Sequence, residues 1–154
     1  FVDNSIEYPK TNWKKPNAIN FNQFTEKWLY QRGFYTVVRR FSSKEQKRRI
    51  YASVVNPNFS PESIAFGFEN HLNVFHFRKK GIAEDVAYGL AAYLNSTFVD
   101  EYFRLFSGHT QVNATDLRKL KYPDLTILET LGEWAKEHGN PSQEMIDEKL
   151  DTLV

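Results

Sequence analysis

The 154-residue chain predicts an α+β fold, with antiparallel strands in its N-terminal half and helices in its C-terminal half. Two runs dense in β-branched and aromatic residues, 34–41 and 48–55, flank a short polar connector and read as a hairpin. Beyond residue 85 the apolar period changes. Val86, Leu90, Tyr93 and Leu94 share one helical face, as do Phe98, Val99, Tyr102, Phe103 and Phe106. Strands followed by helices in this order give the α+β class.

The elements follow in order. The first thirty residues are rich in Asn, Lys and aromatics, include Pro9 and Pro16, and show no sustained period. They read as an extended segment with one helical turn near 21–29. Gln31-Arg32-Gly33 signals a turn before the first strand. After the 34–41 strand, the connector 42–47 and the 48–55 strand, Asn56-Pro57-Asn58-Phe59-Ser60-Pro61 ends the hairpin. Two more strands are expected at 64–69 and 72–77. In the helical half, Ser96 or Thr97 can cap the second helix, with Asp100 and Glu101 in its first turn and Gly108 as its stop. Asn113 with Asp116 resembles a capping box for a short helix ending before Tyr122-Pro123. Ile127, Leu128, Leu131, Trp134 and Ala135 mark an acidic amphipathic helix closed by Gly139, and 141–153 supplies a last helix. No internal repeat is visible.

The length suits one domain, 1–154, with a genuine core. Thirteen Phe, eight Tyr and three Trp speak against disorder. The absence of Cys excludes disulfides, Cys-ligated zinc and thiol nucleophiles, and suits a reducing cytoplasm. No apolar run is long enough to span a membrane. The chain begins Phe1-Val2 and its only Met is Met145, so a fragment of a longer protein is expected. The net charge of +1 hides a split. The tail 124–154 carries eight acids against Lys136 and Lys149, a net of −6, which leaves +7 on residues 1–123. A basic body with an acidic helical tail is a polarised interaction surface.

Arg39, Arg40, Lys44, Lys47, Arg48 and Arg49 place six cations within eleven residues, opposed only by Glu45. At one end of a hairpin they can neutralise phosphates, and Arg can read guanine edges. A solvated hairpin tip is the competing reading, and Arg78-Lys79-Lys80 is a smaller patch of the same kind. The 108–118 loop offers an imidazole, hydroxyls, amides and a helix start. His109, Thr110 and Gln111 can contact nucleic acid there, or serve as turn chemistry; Asn113 and Asp116 read as capping residues. Asn56-Pro57-Asn58-Phe59 looks like the Asn-Pro-Pro-Tyr/Phe motif that holds a flipped adenine, but its third residue is Asn. Gly33 is the only glycine upstream, so no cofactor loop precedes it. It reads as a turn. No catalytic residue and no metal site is assigned: His71, His76, His109 and His138 lack ligand spacing.

Four segments carry a family resemblance. They are Tyr35-Thr36-Val37-Val38-Arg39-Arg40-Phe41-Ser42-Ser43-Lys44-Glu45, Phe68-Glu69-Asn70-His71-Leu72-Asn73, Gly89-Leu90-Ala91-Ala92-Tyr93-Leu94-Asn95-Ser96-Thr97, and the loop from Ser107 to Pro123. Together they resemble the C-terminal target-recognition region of Eco57I/PaeR7I-type N6-adenine-specific DNA methyltransferases from restriction–modification systems. The resemblance implies recognition of double-stranded DNA and presentation of an adenine for flipping. It also implies an N-terminal methyltransferase domain of the same protein as partner, and S-adenosylmethionine as cofactor of that parent, with none held by this region. It places base-specific contacts at the hairpin and its connector, or in the loops 56–63 and 78–82. The alternative from another class is a protein-interaction or structural module without DNA contact.

Overall fold

A computed structural model describes residues 7–8 and 19–153 of the chain. Strand β1 is Glu7–Tyr8 and β2 is Tyr30–Gln31; β3 (Tyr35–Arg39) and β4 (Ala52–Val55) form the expected antiparallel hairpin, with Val37 opposite Ser53. β5 (Ala65–Phe66) pairs with β2 in a small second sheet, and β6 (Leu72–Phe75) flanks β3. The main sheet runs β1-β4-β3-β6, and β1 joins β4 in parallel. That parallel pairing was not foreseen, because a two-residue strand bonded to residues nearly fifty positions away leaves no local pattern. The helices are α1 (Glu84–Leu94), α2 (Thr97–Phe106), α3 (Ala114–Leu117), α4 (Leu125–Glu137) and α5 (Gln143–Asp151). The α+β expectation holds. The turn expected near 21–29 is a 3-10 helix at Glu26–Trp28, and the rest of the expected N-terminal segment, 1–6 and 9–18, lies outside the described residues.

β3 is buried on both faces, which explains its near-continuous apolar character. Tyr35 and Val37 join Val55 in a minor core closed by Tyr30, Phe66, Phe68, Leu72 and Val74. On the other face Val38, with Ala52 and Val54 of β4, meets α1 in the main core. Thr36, also on that side, settles its hydroxyl by donating to the Ala87 carbonyl at 2.8 Å. α1 is buried from Ala87 to Leu94 because α4 covers its outer side. The acidic tail is part of the body: Leu128, Leu131, Ala135, Ile146 and Leu150 complete the main core. Asp147 ties α5 to α2 by accepting from the Thr97 N–H at 2.8 Å, beside the Ser96 hydroxyl that caps α2 through Val99.

Three expectations need correction. The second hairpin strand starts at Ala52 and not at 48, because the N–H groups of Arg49 and Ile50 donate to Asp100 Oδ1 at 2.5 and 3.2 Å and so are lost to the ladder. Gly108 does not stop α2: Ser107 ends it in extended backbone, and Gly139, after α4, is the described glycine with positive φ (68°). Asn113 starts α3 without a side-chain cap; its Nδ2 instead lies 3.4 Å from Asp116 Oδ2.

Asn95, buried after α1, does a strand's work for β4. Its Oδ1 accepts from the Ala52 N–H at 3.0 Å and its Nδ2 donates to the Ala52 carbonyl at 2.9 Å. Asn95→Ala leaves both groups unpaired in the interior and is expected to cost about 2–3 kcal/mol. An unchanged denaturation midpoint would show that the two backbone groups find other partners.

Candidate nucleic-acid interface

The hairpin connector and the 107–112 loop, some sixty residues apart in sequence, form one surface. Ser42 N–H donates to the Thr110 carbonyl at 3.1 Å, Val112 N–H donates to the Arg40 carbonyl at 2.7 Å, and Phe41 and Gln111 form an antiparallel bridge. A buried arginine clamps the two segments from beneath. Arg49 is 1% exposed. Its Nε donates to Ser42 Oγ at 3.0 Å, one terminal nitrogen to the Ser107 carbonyl at 3.2 Å, and the other to the His109 carbonyl. Its guanidinium also stacks over the Phe103 ring at 5.4 Å. Arg49 was expected to meet DNA. In the structure its Nε and both terminal nitrogens are directed to acceptors inside the protein.

The other predicted cations divide in the same way. Arg39 lies over the Tyr51 ring and donates to Gln46 Oε1 at 2.8 Å. Arg48, half-buried, donates to the Asn95 carbonyl and lies over Tyr51. Burial draws both the Arg48 and Arg49 guanidinium pKa below the usual arginine value; for Arg49 the neighbouring Arg104 adds to this. Arg40 is partly open, with one 3.4 Å contact to the Asn70 carbonyl. Lys44 and Lys47 are exposed. Lys44 Nζ lies beside Gly108, at 3.9 Å from where a β-carbon would stand. The pKa of Glu144, at the start of α5, is drawn below the usual carboxylate value by hydrogen bonds from its own backbone and Ser142, with a smaller contribution from the charge of Lys47. From the loop, His109 and Thr110 are exposed and Gln111 is half-buried.

Two residues outside the predicted set hold this surface in shape. Asp100, 6% exposed, sits between the backbone of residues 49–50 and Arg104, whose Nε meets it at 2.8 Å. Arg104 then donates to the carbonyls of Lys44, Gln46 and Lys47 at 3.0–3.1 Å, fixing the connector from the α2 side. The sequence carried a faint signal of this: Asp100 and Arg104 stand at i and i+4 of a helix otherwise rich in aromatics. Phe41, 44% exposed and in ring contact with His71, and Lys119, over the Phe106 ring at 5.9 Å, border the surface.

The 56–59 segment is the turn that was expected. Asn56 Oδ1 accepts from the Asn58 N–H at 2.9 Å at the head of a 3-10 helix, while Nδ2 donates to the Tyr88 hydroxyl. Its amide is thereby engaged within the fold. Among the described residues no three His, Asp or Glu converge as metal ligands, and no helix is long and apolar enough to cross a membrane.

Over 155 aligned positions, covering the whole chain, the sequence is 58% identical to the Type II methyltransferase M.BsuBI of Bacillus subtilis. Over 147 positions, 96% of the chain, it is 44% identical to the Type II methyltransferase M.PstI of Providencia stuartii. The chain spans only 30% and 29% of the length of these two relatives. No family model matches it, and neither does any solved structure. These comparisons do not single out the Eco57I/PaeR7I type. They place the chain's similarity in one region, about three-tenths, of Type II methyltransferases.

Proposed function

We propose that this chain is the target-recognition part of a restriction–modification adenine-N6 DNA methyltransferase, and that duplex DNA docks on the surface built by the connector 40–47 and the loop 107–112. The observation that carries this is the division of labour among the cations. Arg39, Arg48, Arg49 and Arg104 serve the scaffold, and Arg40, Lys44 and Lys47 are left on one face beside His109, Thr110 and Gln111. Lysines and backbone amides of this kind fix register through phosphate contacts. The methyl donor of such a parent protein is S-adenosylmethionine, and the residues described here do not fit it. Asn56 is engaged as a cap, and Gly33 packs against Gly81, a β-carbon on it meeting Gly81 Cα at 3.1 Å, instead of opening a nucleotide loop. Methyl transfer belongs to the rest of the polypeptide, working in the cytoplasm.

The rest of that polypeptide is also the proposed occupant of the outer face of α2. There Phe98, Tyr102, Leu105 and Phe106 are turned outward, Leu105 83% exposed, while the helix buries Val99, Asp100 and Phe103. About seven-tenths of the length of the two relatives lies outside the matched region, so a large partner surface is at hand.

Salt titration tests the DNA reading. With Arg40, Lys44 and Lys47 available to phosphates, duplex affinity should fall with a log–log slope of about −3. Lys44→Glu should lower affinity about tenfold or more and flatten the slope, with stability unchanged. No duplex binding at low salt would refute the proposal and favour a protein-interaction module.

A further inference from the structure

Beyond the edge of β6 the chain turns back through Phe77, Arg78, Lys79 and Lys80. Phe77 N–H donates to the Lys80 carbonyl at 3.1 Å and Lys80 N–H to the Phe77 carbonyl at 2.8 Å, which closes a two-residue hairpin loop. Both central residues are left-handed, Arg78 at φ 50° and Lys79 at φ 63°. This is the turn geometry that Asn-Gly or Asp-Gly fills without steric cost. Arg78 and Lys79 are the two non-glycine residues with positive φ among the described residues, and neither has a short side chain that eases that conformation.

Lys79 has a structural reason to be there. Its carbonyl accepts from the Gln31 N–H at 2.9 Å and from the Tyr35 hydroxyl at 3.2 Å. Its own N–H donates to His76 Nδ1, and its ammonium reaches the Lys27 carbonyl and lies over the Tyr30 ring. Arg78 has none. It is exposed, and its guanidinium makes no hydrogen bond or ion pair with any described residue; it rests only over the ring of Phe77, itself 64% exposed. Six of the eight arginines of the chain donate to internal acceptors. The other exception, Arg118, sits in ordinary helical backbone at φ −69°. Only Arg78 combines an unused guanidinium with a strained backbone, and strain without an internal purpose points outward.

We infer that Arg78 is a specificity-determining residue that reads a guanine edge in the major groove of the bound duplex, an inference that rests on the DNA-recognition reading above. The planar fork of arginine matches O6 and N7 of guanine. The Phe77 ring beneath the guanidinium restricts its freedom, and exposed His76 and Lys80 flank it for phosphate contacts. The register of β3 with β6 sets Leu72 opposite Arg39 and Phe75 opposite Thr36, so the turn lies at the far end of β6 from the connector. Seven residues separate His71 from Arg78, roughly 20 Å along a strand. At about 3.4 Å per base pair this is on the order of six base pairs, so one duplex lying along the β6 edge can meet both.

Selection of duplexes from a random-sequence pool, with this chain and with Arg78→Gly and Arg78→Lys, provides the test. The unsubstituted chain should enrich a motif containing a guanine. Arg78→Lys, which keeps the charge and loses the fork, should reduce discrimination at that base pair roughly 5- to 100-fold with its salt slope unchanged. Arg78→Gly should lose the same discrimination and at the same time raise the thermal midpoint, because glycine accepts the left-handed backbone. An arginine retained for stability would show the opposite sign. A chain that binds no duplex overturns the recognition reading and this inference with it. A chain that selects a motif which both variants select equally well overturns this inference alone.

Discussion

Gly89→Ala and Gly132→Ala are each expected to destabilise the fold by about 3 kcal/mol or more, the largest effect of a methyl group added at any glycine of this chain. The two glycines lie where α1 crosses α4. A methyl group on Gly89 would stand 1.8 Å from the Leu128 carbonyl oxygen, and one on Gly132 would stand 1.8 Å from the Asp85 carbonyl oxygen. Each clash is with backbone, so no rotamer change relieves it and the helices must move apart. Two effects compete. Alanine gains about 1 kcal/mol of helix propensity over glycine. Separating the helices loosens Ala87, Leu90, Leu128, Leu131 and Ala135, all in the main core. The second effect should win, because packing losses across a buried helix pair exceed one residue's propensity. Gly139→Ala is the comparison: nothing lies near it, and only its φ of 68° opposes the change, for about 1 kcal/mol. Chemical denaturation checks the ranking, and a Gly132→Ala chain as stable as the unsubstituted one would mean the helices are not in backbone contact.

Arg49→Leu is expected to cost about 3–4 kcal/mol and also to weaken DNA binding, although Arg49 touches no DNA in this reading. Removing the guanidinium strands the acceptors Ser42 Oγ, Ser107 O and His109 O. It also leaves the Asp100 carboxylate with Arg104 as its close cationic partner. A leucine fills part of the volume over Phe103 and satisfies none of these groups. The 107–112 loop should then loosen, which amide hydrogen exchange reads directly as faster exchange at the Val112 N–H. Arg49→Lys restores the charge, but a single ammonium cannot span three acceptors, so about half the loss should persist. A charge change at position 49 thus reports on folding, and Lys44 and Lys47 are the positions where it reports on DNA. An Arg49→Leu chain that keeps both its stability and its slow exchange at Val112 would refute the clamp.

Much of the fold was legible. The hairpin, the four long helices in their order and the Ser96 cap all follow from period, β-propensity and capping chemistry, which act over a few residues. The candidate site was legible only in part. Cation density marked the connector, but Arg39, Arg48 and Arg49 look the same in sequence as Lys44 and Lys47. Arg39 is held locally by Gln46 and Tyr51, whereas the inward turn of Arg48 and Arg49 depends on Asn95 and the carbonyls of Ser107 and His109, groups some fifty to sixty residues away. The outward aromatic face of α2 was misleading for a related reason. Phe98, Tyr102 and Phe106 fit a helical period, yet the helix buries Asp100 and leaves those rings exposed, because Asp100 is needed beneath the connector.

The sequence by itself determined the class of the fold, the sites of most elements and the region where positive charge gathers, because each depends on local preference and composition. The tertiary structure alone decided which cations are scaffold and which are surface. It also decided that the connector and the 107–112 loop share one face, and that Arg78 stands free on a left-handed turn. Those outcomes depend on which distant carbonyls and carboxylates reach each guanidinium, and a desolvated arginine is held in place only where such acceptors converge.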